Sequence, residues 1–550
     1  MLQHRFVAVA ALAVTCSLRA APAEVLDYRI EPGDTFIGVT ERLLRPGTRW
    51  QQLQRANPGM QPLRLPPGRT LRIPAQLLQE TAEMAEVMHA HGSVTLERAG
   101  APPVALAGGE RLRRGDRVRT GAQSSSTLRF ADGARVLVRP LSDLTIDKTV
   151  RWGQGGPVQT ELGLDAGSAD SLVPPAAGPA QPTRFRIRTP VANLGVRGTE
   201  FRTSAERDRT RLEVLQGTVA LRPGASASGG ERRARPAADL PVAAGFGAIA
   251  SPQQATPPQP LLGPPDLTPT PSRLERMPVS LGWPALAGAS SYRAQVFDAA
   301  GTEVLRLDGR FDQPQARWPD DLPDGAYELR VRGVAAGGLE GRDARHPFKL
   351  KARPEPPLLN TPAADARLAS PSIDFSWTRN PQAARYRLQV ADDAAFGTPR
   401  IDRDDLSATG ASLELPEGTH WWRLASVRAD GDQGPWGDAQ RVTRVPQPPP
   451  PPPEPPESTD SGMKLRWGAG APGTRYQVQV SRDPSFAAVL HDERVEQPSW
   501  LLPKPEPGRY LVRVRSIDAE GFEGPFGTPQ EIEVQRSLWW LMLLPLVLLL

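Results

Sequence analysis

The residues of this chain most able to hold a metal or move a proton are its six histidines, its single cysteine and a cluster of three aspartates. His89 and His91 alternate, but no acidic or cysteine partner stands beside them to complete a zinc set, and His4, His346, His420 and His491 are isolated. Asp402, Asp404 and Asp405 lack the sharp-turn glycine and distal glutamate of a helix-loop calcium site. No G-x-S-x-G, H-E-x-x-H or P-loop pattern occurs, and the glycine-rich Trp152-Gly153-Gln154-Gly155-Gly156 has neither the spacing nor the context of a phosphate cradle. Nothing points to the paired carboxylates of a glycan hydrolase, which is kept as an alternative. The sequence assigns no catalytic residue, no metal and no cofactor, and the chemistry to look for is recognition.

The elements that must carry recognition form a row of β-rich modules. At 550 residues the chain has room for several domains, each able to bury its own core. Its 61 prolines, about 11% and roughly twice the usual share, break helices and stiffen linkers. Residues 1–23 read as an export signal, with Arg5, an apolar run from Phe6 to Leu18, and Ala21-Pro22-Ala23 as the cleavage site. Cys16 lies inside that segment, so the exported chain is expected to hold no disulfide, thiolate metal site or cysteine nucleophile. Residues 537–550 are apolar and begin with Trp539 and Trp540 near the front, which predicts a short C-terminal helix anchored in a membrane and reaching ~21 Å. The net charge of +5 is spread along the chain, and export argues against nucleic acid as a partner.

Residues 26–75 read as strand, helix, helix, strand. Tyr28-Arg29-Ile30 starts a strand, and Asp34 or Thr35 is placed to cap a helix running to about Leu44. Gly47-Thr48 breaks that helix, and Trp50, Leu53 and Ala56 recur at helical spacing before Asn57-Pro58 ends a second one. Pro67-Gly68 turns the chain into a closing strand, Thr70 to Pro74. Tyr28, Ile30, Gly33, Asp34 and Thr35, then Asn57-Pro58, then Leu65, Pro67, Gly68, Leu71, Ile73 and Pro74 closely resemble the LysM domain family. The resemblance implies a small βααβ fold that binds N-acetylglucosamine-containing glycans, mainly peptidoglycan, between the loop after the first strand and the loop before the last. Carried onto this chain, the glycan-binding residues are Gly33, Asp34, Thr35 and Phe36 in one loop, with Asn57, Pro58 and Leu65 in the other. Ile37 departs from the pattern, standing where many members have tryptophan or another large residue.

Residues 76–90 carry helix-forming side chains without glycine or proline and predict a helical connector. From 91 to 250 short alternating strands and glycine turns take over. Leu128 and Phe130 lead into Asp132-Gly133, a hairpin signal, and Val136 and Val138 lead out of it. Residues 152–182 read as a loop. Phe185-Arg186-Ile187-Arg188 alternates apolar with cationic, and Gly195 and Gly198 supply the freedom for a tight reversal that presents Arg197 before a strand returns from Phe201. Leu212 and Val214 are expected to pair with Val219 and Leu221 across Gln216-Gly217. The run from Thr189 to Phe201, T-P-V-A-N-L-G-V-R-G-T-E-F, resembles the signature of the FecR domain family, matched here by Thr189, Pro190, Gly195, Arg197, Gly198, Thr199, Glu200 and Phe201. The resemblance implies an envelope-located β-sandwich or roll. Some members relay a signal from an outer-membrane transporter to a cytoplasmic sigma factor.

Trp283, Trp377 and Trp467 mark an internal repeat, each followed nine residues later by Tyr292, Tyr386 or Tyr476. A period near 90 residues fits one immunoglobulin-like sandwich, and the Trp/Tyr pattern resembles fibronectin type III, with core packing as the role of these aromatics. The expected order is a Pro-rich linker at 251–272, sandwiches at 273–353 and 354–445, a polyproline spacer at 446–460 and a third sandwich at 461–535. The whole reads as a mainly β multidomain protein of the periplasm, bound to peptidoglycan, tethered to the inner membrane by its C-terminus, and offering the FecR-like module to a ligand or envelope protein. The alternatives are a FecR-type signalling regulator acting through a separate membrane partner, and a wall-remodelling hydrolase.

Overall fold

The computed structural model describes residues 25–175, 184–224, 238–299 and 303–535. The expected export signal and the expected C-terminal apolar helix lie outside the described residues. Two compact units divide the chain, Met1–Leu350 and Lys351–Leu550.

The first unit opens with strand β1 (Val25–Arg29), helices α1 (Phe36–Leu43) and α2 (Trp50–Arg55), and strand β2 (Thr70–Pro74), the order read from the sequence. The Thr35 hydroxyl caps α1 by accepting from the Gly38 amide, satisfying one of the donors that a helix start leaves open. β1 and β2 pair antiparallel with Tyr28 opposite Leu71, and Leu26, Phe36, Val39, Leu53, Leu71 and Ile73 fill the small core.

The helical connector expected at 76–90 is not formed. A single 3-10 turn (Ala75–Leu77) leads into strands β3 (Glu80–Ala82) and β4 (Ala85–His91). Helix propensity spread over so short a stretch is a weak preference, and it is overridden here because β3 pairs with Val150 to Trp152 and β4 with Ser125 to Arg129.

Sixteen strands between Glu80 and Pro260 join one hydrogen-bonded sheet. The Asp132-Gly133 hairpin forms as read, pairing Arg135–Val138 with Ser125–Arg129. The loop expected at 152–182 contains instead a sixteen-residue strand, Val158–Val173. Its small residues permit this: at Gly167 the backbone turns left-handed, at φ +86°, and a Cβ would lie 2.3 Å from the Ser142 hydroxyl oxygen.

Each repeat is a two-sheet sandwich. In the second, Leu359–Thr361, Ser372–Trp377 and Gly410–Glu414 face a larger sheet built on Arg385–Ala391 and Gly418–Val427. The Trp/Tyr pairs pack edge-on in all three, with centroids 5.6, 5.5 and 5.6 Å apart. Every one of these tyrosine hydroxyls accepts from the backbone amide six residues before it, from Leu286, Asn380 and Gly470.

Neither proline-rich segment is a free spacer. Pro453–Thr459, inside the expected polyproline spacer, is the first strand of the third sandwich and pairs with Gly462–Trp467. The prolines ahead of it lie against the turn that closes the same sandwich, where a Cβ on Gly524 would meet the Pro448 carbonyl at 2.0 Å. The segment at 251–272 likewise carries a strand, Gln259–Pro260, paired with Phe246 and Gly247, and its Leu262 carbonyl accepts from the Arg342 amide at 2.9 Å. Proline has no amide to donate, so it suits strands that need only one bonded side.

Candidate binding loops and the buried junction

The two loops assigned to glycan lie side by side. The Phe36 amide donates to the Pro62 carbonyl and the Leu65 amide to the Asp34 carbonyl, stitching 33–36 to 62–65. Most of the expected contact residues, however, face inward. Asp34 accepts from the Tyr28 hydroxyl (2.7 Å), the Glu31 amide (2.8 Å) and the Arg42 guanidinium (2.8 Å). Burial opposes its ionisation, but those donors outweigh burial and hold its carboxyl below the ordinary range. Asn57 is spent on the Leu53 and Arg72 carbonyls and the Arg72 amide, while Phe36 and Leu65 are core residues. Thr35 is the helix cap, Gly33 supplies a left-handed turn at φ +92°, and Pro58 is exposed. The large apolar side chains exposed here are Ile37, in the first turn of α1 and 42% exposed, and Leu63, 77% exposed, beside the exposed Gln61 and Arg64. Leu63 was missed in the sequence because a lone leucine between Pro62 and Arg64 has no periodicity to mark it.

The glycine-rich Trp152 to Gly156 has a structural role. Trp152 and Val150 enter the core of the N-terminal module, the Gly153 amide donates to the Gln79 carbonyl and the Gln154 amide to the Arg42 carbonyl. Gly153 sits at φ +68°, and a Cβ there would lie 2.3 Å from the Arg42 carbonyl oxygen.

The Thr189–Phe201 signature corrects the sequence reading. Its reversal lies at Thr189-Pro190-Val191, where the Thr189 hydroxyl accepts from the Ala192 amide at 3.0 Å. Gly195 and Gly198 fall within one fourteen-residue strand, Ala192–Ala205. Gln216-Gly217 is likewise no turn but part of Thr210–Pro223, and the two strands form one long hairpin closed at Glu206 to Arg209. The register slips between Arg197 and Glu200, with Gly198 at φ +56° and Gly217 at φ +77° across from it. That kink lets the first strand pair with Arg184–Arg188 before it and with Gly167 to Val173 after it. Thr199 and Phe201 are buried, and Glu200 accepts from the Gln216 amide group.

Arg202, just beyond the signature, belongs to a charge cluster joining this sheet to the first sandwich. Arg202 donates to the Gly341 carbonyl (2.8 Å) and Asp343 (2.7 Å), and Arg139 forks onto Glu340 at 3.1 Å with both terminal nitrogens. Glu340 also takes Arg293 (3.2 Å) and Arg332 (2.6 Å), so one carboxylate serves three guanidinium groups. Arg139, Arg202 and Arg332 are almost fully buried. Glu213 accepts from the Glu340 amide at 3.1 Å.

Burial, then the charge of Glu340, pushes the Glu213 carboxyl up to about 7. Burial also works against Glu340 and Asp343, but the arginines overcome it, Arg139 first for Glu340 and Arg202 first for Asp343. They hold Glu340 well below the ordinary range and Asp343 at about 2. A carboxyl whose folded pKa is raised stabilises fully below its unfolded value, and that contribution is lost as pH rises through about 7. The lowered pair stabilises above its unfolded values and loses that as pH falls. The unit is expected to be most stable near pH 4.5, with its unfolding midpoint declining as pH rises from about 4.5 to about 7 and levelling off above that. Glu213→Gln should remove the decline between about pH 4.5 and pH 7, and an unchanged decline in thermal unfolding of that variant would refute the assignment.

The other clusters noted in the sequence are structural. Asp402 pairs with Arg387 and Asp405 with Arg403, each at 2.7 Å, and among the described residues no group of three or more His, Cys, Asp or Glu is placed to hold a metal.

Comparison with known families matches residues 28–74 to the LysM domain and residues 116–220 to "FecR protein". No curated protein matches the chain. Among solved structures, the chain is similar to the FN1–FN3 domains of chicken CNTN1 at 16% identity, covering 47% of this chain and 94% of that one with a TM-score of 0.24. Two structures of a protein described as a candidate anti-sigma factor from Parabacteroides distasonis match at 14% identity and TM-score 0.19, over 26% of this chain. The chain spans 59% of their length.

Proposed function

We propose that this chain, which carries a LysM domain and a FecR region, is a non-enzymatic cell-envelope protein that binds peptidoglycan at its N-terminal loops and displays the FecR region to a partner. The observation that carries the reading is the LysM match together with the geometry of its loops. Two exposed aliphatic side chains, Ile37 in the first turn of α1 and Leu63 in the adjoining loop, stand out where Asp34 and Asn57 are turned inward as scaffold. Such a surface suits the apolar faces of sugar rings, with exposed backbone groups left to meet the acetamido group.

Sedimentation with purified sacculi tests this. Leu63→Ser and Ile37→Ser, both at exposed positions, should each lower the bound fraction several-fold while leaving thermal unfolding unchanged. Equal sedimentation of the double variant and the parent would sink the reading. The localisation that goes with it is the periplasm, tethered through 537–550. Among the described residues no helix is long and apolar enough to cross a membrane, so the tether rests on the sequence and is tested by fractionation of a chain ending at 536.

A second reading follows from the FecR match: envelope signalling through a separate membrane protein. Crosslinking in intact cells, followed by identification of the captured partner, separates the two. Capture of a membrane-spanning regulator favours signalling, and capture of wall fragments alone favours the first.

A further inference from the structure

We propose that the junction between the long-stranded sheet and the first sandwich is a binding site for a small oxyanion, a phosphate or a carboxylate. A cavity of about 230 Å³ opens there, lined by Arg139, Arg202, Arg211, Arg293 and Arg310 and by three carboxylates, Glu206, Glu213 and Glu340. Cations therefore outnumber anions on its wall, and the excess grows whenever Glu213 holds a proton.

Several of its donors lack acceptors. The hydroxyl of Thr203 and the Nε atoms of Arg139 and Arg211 are buried without a hydrogen-bond partner, although the Asp308 carboxylate lies 3.8 Å from Arg139 Nε. Thr203 is 1% exposed and is one of the residues lining the cavity. Arg310 spends its Nε on the Ser291 hydroxyl at 3.0 Å and makes no ion pair among the described residues. Buried donors without acceptors are costly, and guanidinium groups fit the oxygens of phosphate and carboxylate in a two-point geometry. A tetrahedral or planar oxyanion supplies acceptors to Thr203 and Arg211 and a counter-charge to Arg310 in one step. A neutral sugar supplies no counter-charge, and a cation would meet the arginine excess.

The site is distinct from the wall-binding loops, so its failure leaves that reading untouched. The test is calorimetric titration of the full chain with two probes: inorganic phosphate, and acetyl-D-alanyl-D-alanine as a carboxylate-terminated wall peptide. Saturable one-to-one binding of either is expected, with a matching concentration-dependent rise in the unfolding midpoint. The better probe identifies the source of the oxyanion. Arg310→Gln should weaken that probe at least about tenfold and Thr203→Val at least about threefold, since each removes one donor to a charged acceptor. Arg222→Gln, at an exposed pair with Asp239 elsewhere on the sheet, should leave it unchanged. Neither probe saturating, or Arg310→Gln and Thr203→Val both binding like the parent, would overturn the proposal.

Discussion

Glu340→Ala is expected to lower the stability of the first unit by about 3–5 kcal/mol, the usual cost of leaving a buried charge without its partner. The substitution strips one acceptor from three arginines at once, and two of them, Arg139 and Arg332, have almost no access to water. Their remaining acceptors do not replace it. Arg139 keeps Asp170 at 3.4 Å and Asp308 at 3.8 Å, while Arg332 keeps Gln295 and Asp343, each at 2.9 Å. The long-stranded sheet and the sandwich should then unfold in separate calorimetric transitions. Adding Arg332→Met to Glu340→Ala should restore part of the loss, because the uncompensated charge is itself removed. A single transition at the parental midpoint in Glu340→Ala would show that the cluster does not hold the junction.

Asp34→Ala is expected to abolish sacculus binding although Asp34 meets no glycan in the reading above. The carboxylate gathers Tyr28, the Glu31 amide and Arg42, joining the first strand to α1. Its removal leaves the Tyr28 hydroxyl and the Glu31 amide without an acceptor, and hydrogen bonds to a charged group contribute about 1.5–3 kcal/mol each. A domain of this size has little stability to spare. The signature of this mechanism is loss of binding together with loss of the module's amide exchange protection, whereas Leu63→Ser should lose binding alone. Retained protection in Asp34→Ala with binding gone would return Asp34 to the glycan contacts.

Much of the architecture could be read in the residues. Tyr28, the Asp34-Thr35 start and the Asn57-Pro58 stop defined the βααβ module because each acts on the backbone within a few residues of itself. The Trp/Tyr pairs identified the sandwiches because their nine-residue offset is fixed by local geometry. What failed were inferences needing a partner from far along the chain. Gly195, Gly198 and Gly217 each looked like a turn, since a glycine's freedom is visible locally while its use is not. The strands on either side proved to be one hairpin; Gly198 and Gly217 share a single kink in it, and Gly195 lies in regular register opposite Ala220. Residues 76–90 favoured a helix until Val150 to Trp152 offered β3 an edge. The junction left no signal at all: Arg139 and Glu340 are 201 residues apart, and each is an ordinary charged residue in its own segment. Carrying family contact residues onto Asp34, Phe36, Asn57 and Leu65 took no account of orientation: the structure buries all four, because signature positions mark scaffold as readily as surface.

The Trp152–Gln154 clasp has a mechanical consequence. The N-terminal module is held by its covalent continuation through 75–79 and, in parallel, by the hydrogen bonds from Gly153 to Gln79 and from Gln154 to Arg42. Two load paths side by side leave it no swivel, so a pull on this module is passed as strain into β3 and its partner strand without first being taken up by slack in a connector.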